Sequence, residues 1–61
     1  MKLKRIAGDD CGKKDCPGVY KTDNGSIAVQ GPIVEKDTPP GEAIVEISVE
    51  MFEEAARALG R

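Results

Sequence analysis

The sequence predicts a small α+β domain in which a small antiparallel β-sheet is covered by one C-terminal helix. Three observations support this class: an Asn-Gly pair between two alternating segments, a further alternating segment at 43–48, and a helical stripe of apolar residues over 49–59. At 61 residues we expect a single small domain, 1–61, in the size range where one hydrophobic core is only marginally stable.

The first predicted element is a β-hairpin around Asn24-Gly25. Asn-Gly is the preferred pair for a two-residue type I′ turn, because both residues tolerate the positive φ that this turn requires. A two-residue loop places Thr22 opposite Ile27. The face predicted to be apolar then comprises Tyr20, Thr22, Ile27 and Val29.

Two further segments are predicted to be extended. Residues 43–48 alternate, with Val45 and Ile47 on one face. The short run 33–35 follows Gly31-Pro32 and is either an edge strand or the continuation of the second hairpin strand past a bend. The Pro- and Gly-rich stretch 36–41 is predicted to be a loop.

The last predicted element is the helix 49–59. Ser48 is a suitable N-cap, acidic residues occupy the first turns, and Gly60 is a stop signal. We expect the helix to place Phe52 and Leu59 against the apolar face of the sheet.

The predicted core is thin. Each buried side chain stabilises the fold by about 1.5–3 kcal/mol, whereas ordering the chain costs roughly 1.5 kcal/mol per residue. The sum of the burial contributions offsets the ordering cost only narrowly. A disulfide, a metal or a second copy of the chain is therefore expected to add stability. The candidate core residues are Leu3, Ile6, Val19, Tyr20, Ile27, Val29, Ile33, Val34, Ile44, Val45, Ile47, Val49, Met51, Phe52 and Leu59.

The N-terminal part is harder to place. Residues 2–7 are compatible with a strand, and 8–18 are predicted to form a polar loop that holds both cysteines. The placement of 1–18 relative to the sheet therefore stays open, as does whether Leu3 and Ile6 belong to the core or to an interface.

Charge is distributed unevenly along the chain, whose net charge is −2. Residues 1–21 carry six cations and three acids, which gives +3, and residues 22–61 carry three cations and eight acids, which gives −5. This asymmetry is compatible with self-association or with a partner of either sign, although a solvated surface is the simplest interpretation.

Cys11 and Cys16 form the one group of residues with evident chemical potential. Three states are open: free thiols, a disulfide across a four-residue spacer, or half of a zinc-type site. In the third state a twofold mate or an aspartate such as Asp9, Asp10 or Asp15 would complete the ligands. The two lysines between the cysteines favour the thiolate form and make a redox-responsive pair conceivable.

Catalysis is not expected. The chain has no histidine, which removes the commonest general base and any Ser/His or Cys/His pair. The paired carboxylates Asp9/Asp10 and Glu53/Glu54 are adjacent in sequence and have no evident cleft. With no apolar run of about 20 residues and no secretory signal, the expected location is the cytoplasm, away from membranes.

A nucleic-acid interface is the alternative that the basic N-terminal segment suggests. An acidic chain with few aromatic residues provides weak support for this alternative, since stacking and phosphate contacts dominate such interfaces. The residues concerned are Lys2, Lys4, Arg5, Lys13, Lys14 and Lys21, grouped around Tyr20.

The run from Cys11 to Gly31 reads Cys-x4-Cys-Pro-x-Val-Tyr-x-Thr-Asp-x-Gly and ends in Val-Gln-Gly. It resembles a group of small uncharacterised actinobacterial proteins, whose C-terminal part also looks like a loop, an acidic strand and a short helix. The resemblance implies a cytoplasmic protein, often encoded near helix-turn-helix regulators, with no established activity and no catalytic residue to transfer.

A second likeness concerns the segment from Val45 to Gly60. It is similar to the strand-to-helix step of AbrB-type swapped-hairpin DNA-binding dimers. It departs from that pattern because Ser48 stands where proline is usual and because the helix is about one turn longer.

The sequence thus favours a small non-enzymatic interaction or regulatory protein that forms a homodimer. The alternatives are a DNA-associated transcriptional regulator that uses the basic segment, and a thiol-dependent metal-binding or redox-responsive module at Cys11 and Cys16.

Overall fold

The computed structural model describes residues 1–8 and 16–61. Strands β1, β2 and β3 form an antiparallel sheet in that order, and β4 and β5 form a second, two-stranded sheet. The predicted α+β class, with its hairpin and C-terminal helix, is confirmed. The elements are β1 (Leu3–Gly8), β2 (Gly18–Thr22), β3 (Ile27–Gln30), β4 (Ile33–Val34), β5 (Ile44–Val45) and α1 (Val49–Ala58).

The register of the β2–β3 hairpin differs by one residue from the prediction. Ile27 pairs with Lys21 instead of Thr22, and Val29 pairs with Val19. Because a one-residue slip moves every side chain of one strand to the other face, Thr22 lies on the face opposite to Ile27 and Val29. The prediction of this apolar face is therefore wrong for Tyr20 and Thr22, its two members in β2.

The turn itself explains the slip. The Thr22 N–H donates to the carbonyl oxygen of Ser26 (3.0 Å) and the Gly25 N–H donates to that of Thr22 (3.4 Å), so the loop has the three residues 23–25. Gly25 has φ +87°, and no non-glycine residue in the described part has a positive φ. A type I′ turn needs two such residues, whereas a type I turn followed by one glycine needs one.

Side chains support this longer loop. The Ser26 N–H donates to Thr22 Oγ1 (3.1 Å), and the Ser26 hydroxyl donates to Asn24 Oδ1 (2.8 Å). The Thr22 hydroxyl also donates to Asn24 Oδ1. Thr22 is buried without leaving its hydroxyl unsatisfied, which is the condition for burying a polar side chain at low cost.

Strand β1 pairs antiparallel with β2 and contains a bulge between Arg5 and Ala7. At its end Gly8 lies opposite Gly18. A Cβ on Gly8, whose φ is +109°, would lie 2.6 Å from the carbonyl oxygen of Pro17. The two strands therefore approach each other here more closely than any side chain on Gly8 would permit.

Helix α1 has the ends that the sequence predicts, within one residue. The Met51 N–H donates to Ser48 Oγ (3.0 Å), which is the expected N-cap. At the other end the Gly60 N–H donates to Arg57 O (3.0 Å) and the Arg61 N–H donates to Ala56 O (2.9 Å). This is the Schellman arrangement, which satisfies carbonyls of the last turn.

The predicted strand 43–48 is shorter than expected. Only Ile44–Val45 pairs with β4, and the Glu46 N–H donates to the carbonyl oxygen of Pro32 (3.0 Å). Two residues later Ser48 caps α1, so no length remains for further pairing. The run 33–35 supplies β4, a separate strand in the second sheet.

The core is built from small residues. Ala7, Val19 and Ala55 form the buried cluster, and Ile6, Ile47 and Met51 pack against it in part. Of the fifteen side chains predicted to be buried, only Val19, at 3% exposure, is buried. The helix contacts the sheet through Ala55, so the prediction that Phe52 and Leu59 cover the sheet is wrong.

Candidate interaction surface

An apolar groove lies between β3 and α1. Helix α1 packs against β1 and β2, so its axis is displaced from β3 and the apolar face of that strand stays uncovered. The groove has a volume of about 230 Å³. Its lining is almost wholly apolar and comprises Val19, Ile27, Val29, Ile47, Phe52, Ala55, Ala56, Leu59 and Arg61.

The large side chains around this groove are strongly exposed. Phe52 is 65% exposed, Ile27 46%, Val29 43% and Leu59 37%. Single exposed apolar residues are ordinary on a protein surface, but a contiguous group of them usually marks a site of association. We therefore define these four residues as the apolar patch and treat it as the candidate interaction surface.

A second candidate surface is the basic end of the sheet. Lys4 lies directly opposite Lys21 across the β1–β2 ladder, and both line a shallow groove together with Lys2 and Asp23. Like charges at opposite positions of a strand pair repel each other, so an anion bound between them would relieve that cost. Lys13 and Lys14, also predicted for a nucleic-acid interface, lie outside the described residues.

Tyr20, the expected aromatic centre of that interface, is engaged within the chain. The Arg5 guanidinium donates to the Tyr20 hydroxyl from Nη2 (2.8 Å), and its Cζ lies 5.0 Å from the ring centroid. The Tyr20 hydroxyl donates in turn to Gln30 Oε1 (3.2 Å). These contacts occupy one face of the ring, which weakens the case for Tyr20 as a platform on which a base would stack.

Of the two cysteines predicted as a possible metal or redox site, only Cys16 falls within the described residues. Its side chain is 6% exposed and its sulfur is disulfide-bonded. Cys11 lies outside the described residues, as do Asp9, Asp10 and Asp15. Among residues 1–8 and 16–61, no three His, Cys, Asp or Glu side chains come together as metal ligands would.

The sequence analysis named all four members of the apolar patch but assigned them to the core. The sequence feature that indicates their exposure is the small size of the residues at the contact between helix and sheet. Ala7 and Ala55 belong to the buried cluster at the contact between helix and sheet, where Phe52 and Leu59 were expected, so the helix lies close to β1 and β2. A three-residue loop at 23–25, in place of the two-residue loop Asn24-Gly25, predicts that Val19 pairs with Val29.

Comparison of the chain with protein-family models, with curated proteins and with solved structures gives no match. In the described part of the chain no helix has the length and apolar character needed to cross a membrane.

Proposed function

We propose that this chain is a small non-enzymatic interaction protein that works as a homodimer. The observation that carries the proposal is the apolar patch: Phe52, Ile27, Val29 and Leu59 surround one groove and remain exposed in the single chain. Their burial in a second copy would supply the apolar contact that the core of one copy lacks.

Surface area supports a second subunit. The chain has an accessible surface of 5001 Å² at a mass of 6.5 kDa. Folded monomers of that mass expose about 3,800 Å² on the usual size scaling. The excess of about 1,200 Å², summed over the whole chain, is larger than the roughly 800 Å² that each partner buries in a standard interface, so the chain has surface enough for one.

The non-enzymatic part of the proposal follows from the residue inventory. The chain has no histidine, and among residues 1–8 and 16–61 the carboxylates do not gather into a cluster with other His, Cys, Asp or Glu side chains. The groove between β3 and α1 is lined almost wholly by apolar side chains, which bind and position but neither transfer protons nor attack substrates. Association is therefore the activity that this surface supports.

The native mass, measured with and without reductant, tests the proposal. We expect twice the mass of one chain, and an apparent free energy of unfolding that rises by about 1.4 kcal/mol of dimer for each tenfold rise in concentration. The dependence arises because unfolding releases two chains from one particle. A single-chain mass up to millimolar concentration, with a concentration-independent unfolding midpoint, would contradict the proposal.

A DNA-associated role is the second candidate, supported by the Lys4–Lys21 pair and the neighbouring Lys2. If these three lysines contact phosphates of duplex DNA, the logarithm of the binding constant should fall with the logarithm of salt concentration with a slope of about −2.7. Lys4→Gln should reduce that slope by about 0.9, and Lys36→Gln, in the loop after β4, should leave it unchanged. Binding that is undetectable at low salt would remove this candidate.

A further inference from the structure

We propose that the second copy docks edge to edge through β3, so that two β3 strands pair antiparallel about a twofold axis at Ala28. The inference rests on the proposed homodimer and specifies its geometry. It turns the three-stranded sheet of each copy into one continuous sheet with both helices on the same face. Four features of the described residues support it.

The first feature is the contrast between the two edges of the sheet. The β1 edge carries Lys4 and Arg5, follows directly on Lys2, and is interrupted by a bulge. Charged side chains and bulges are the devices by which proteins prevent their edge strands from pairing. Strand β3 has the sequence Ile-Ala-Val-Gln, with no charge, no proline and a regular register throughout. The β1 edge is therefore protected against pairing with another strand, and the β3 edge is open to it.

The second feature is the direction of the backbone groups. Thr22 and Ser26 form a hydrogen-bonded pair at the start of the ladder. Hydrogen-bonded and non-hydrogen-bonded pairs alternate along antiparallel strands, so Ala28 points its N–H and C=O toward β2. Ile27 and Val29 point theirs outward, where no described strand lies beside them.

The third feature is that these outward groups are self-complementary. When Ala28 of one copy lies opposite Ala28 of the other, Ile27 of each copy faces Val29 of its mate. Each of these two pairs exchanges an N–H···O=C bond in both directions, as a hydrogen-bonded antiparallel pair does. The interface is isologous, as expected for a twofold dimer.

The fourth feature is what this pairing does to the apolar patch. Ile27 and Val29 lie on the face that α1 flanks, so pairing through β3 joins the grooves of the two copies into one trough. Phe52 and Leu59 of each helix line its sides. A foreign strand would satisfy the same edge but would not bring a second set of the four patch residues, so a second copy is the occupant whose apolar side chains continue the patch across the interface.

Amide hydrogen exchange of the unmodified protein, measured beside its native mass, tests the geometry. We expect the Ile27 and Val29 amides to be protected and to exchange about threefold more slowly for each tenfold rise in concentration, as the monomer fraction falls. The Leu3 and Arg5 amides are the internal control. They point outward from the opposite edge by the same alternation and should exchange rapidly at every concentration.

A matched pair of proline variants tests the edge directly. Val29→Pro removes an outward N–H while leaving the β2–β3 bonds of Ala28 in place, and it should raise the dimer dissociation constant by about 10- to 100-fold because two symmetry-related bonds are lost. Leu3→Pro removes an outward N–H from the β1 edge and should leave the dissociation constant unchanged. Circular dichroism of both variants reports whether the fold persists.

The outcomes separate this inference from the proposed function. A dimeric mass combined with rapid exchange at Ile27 and Val29 would overturn β3 pairing and retain a homodimer of another geometry. A monomeric mass at all concentrations would overturn both, and would leave the open edge to the strand of a different protein. If Val29→Pro stays folded and dimerises as tightly as the unmodified chain, the edge-to-edge geometry is wrong.

Discussion

Replacing Phe52 by aspartate should raise the dissociation constant of the proposed dimer by at least about 100-fold, which is about 2.7 kcal/mol. The side chain is 65% exposed in one copy and borders the groove, so its apolar area is available for burial by the mate. A twofold interface loses this contact twice, at about 1.5–3 kcal/mol for each buried aromatic, and gains two carboxylates in an apolar trough.

Val49→Asp is the control for this prediction. Val49 lies on the same helix and is 70% exposed, but it does not line the groove. The control introduces the same charge, near the positive end of the helix dipole where an acid is tolerated. Sedimentation equilibrium should show an unchanged dimer for Val49→Asp and mostly monomer for Phe52→Asp. Equal effects of the two substitutions would mean that the apolar patch is not the interface.

Replacing Gly8 by alanine should destabilise the fold by about 3 kcal/mol, a loss large enough to unfold much of the population. Gly8 has φ +109°, and its Cβ would lie 2.6 Å from Pro17 O and 2.7 Å from Gly18 Cα. Both neighbours are backbone atoms, one in β2 and one in the residue just before it, so neither can move without separating β1 from β2. Urea unfolding followed by circular dichroism measures the change.

Gly41→Ala separates the cost of the positive φ from the cost of the close approach of the two strands. Gly41 has a similar positive φ of +84°, but a Cβ there would meet no atom within 4 Å. Backbone strain alone should cost about 1–2 kcal/mol. A loss for Gly8→Ala no greater than that for Gly41→Ala would show that the close approach of the strands contributes nothing to stability.

Local chemistry accounts for the parts of the fold that the sequence predicted correctly. Ser48 and Gly60 define the ends of α1 because a hydroxyl that accepts from the first turn, and a glycine after the last one, act within a few residues. Asn24-Gly25 located the hairpin for the same reason. It did not determine the loop length, because the Thr22 and Ser26 side chains favour the three-residue turn.

The candidate site depended on longer-range packing. Ile27, Val29 and Phe52 are apolar in the sequence whether they fill a core or line a surface, and the hydrophobic effect alone does not distinguish these outcomes. The distinction follows from where α1 lies, and that is set by the close contact of Ala55 with Ala7 and Val19.

The sequence by itself determined the fold class, the position of the hairpin and the limits of the helix, because turn and capping signals are local. Only the tertiary structure decided the hairpin register, the separation of β4 and β5 into their own sheet, and the exposure of the apolar patch. These depend on contacts between residues far apart in the chain, where small side chains let α1 approach β1 and β2 and leave β3 uncovered.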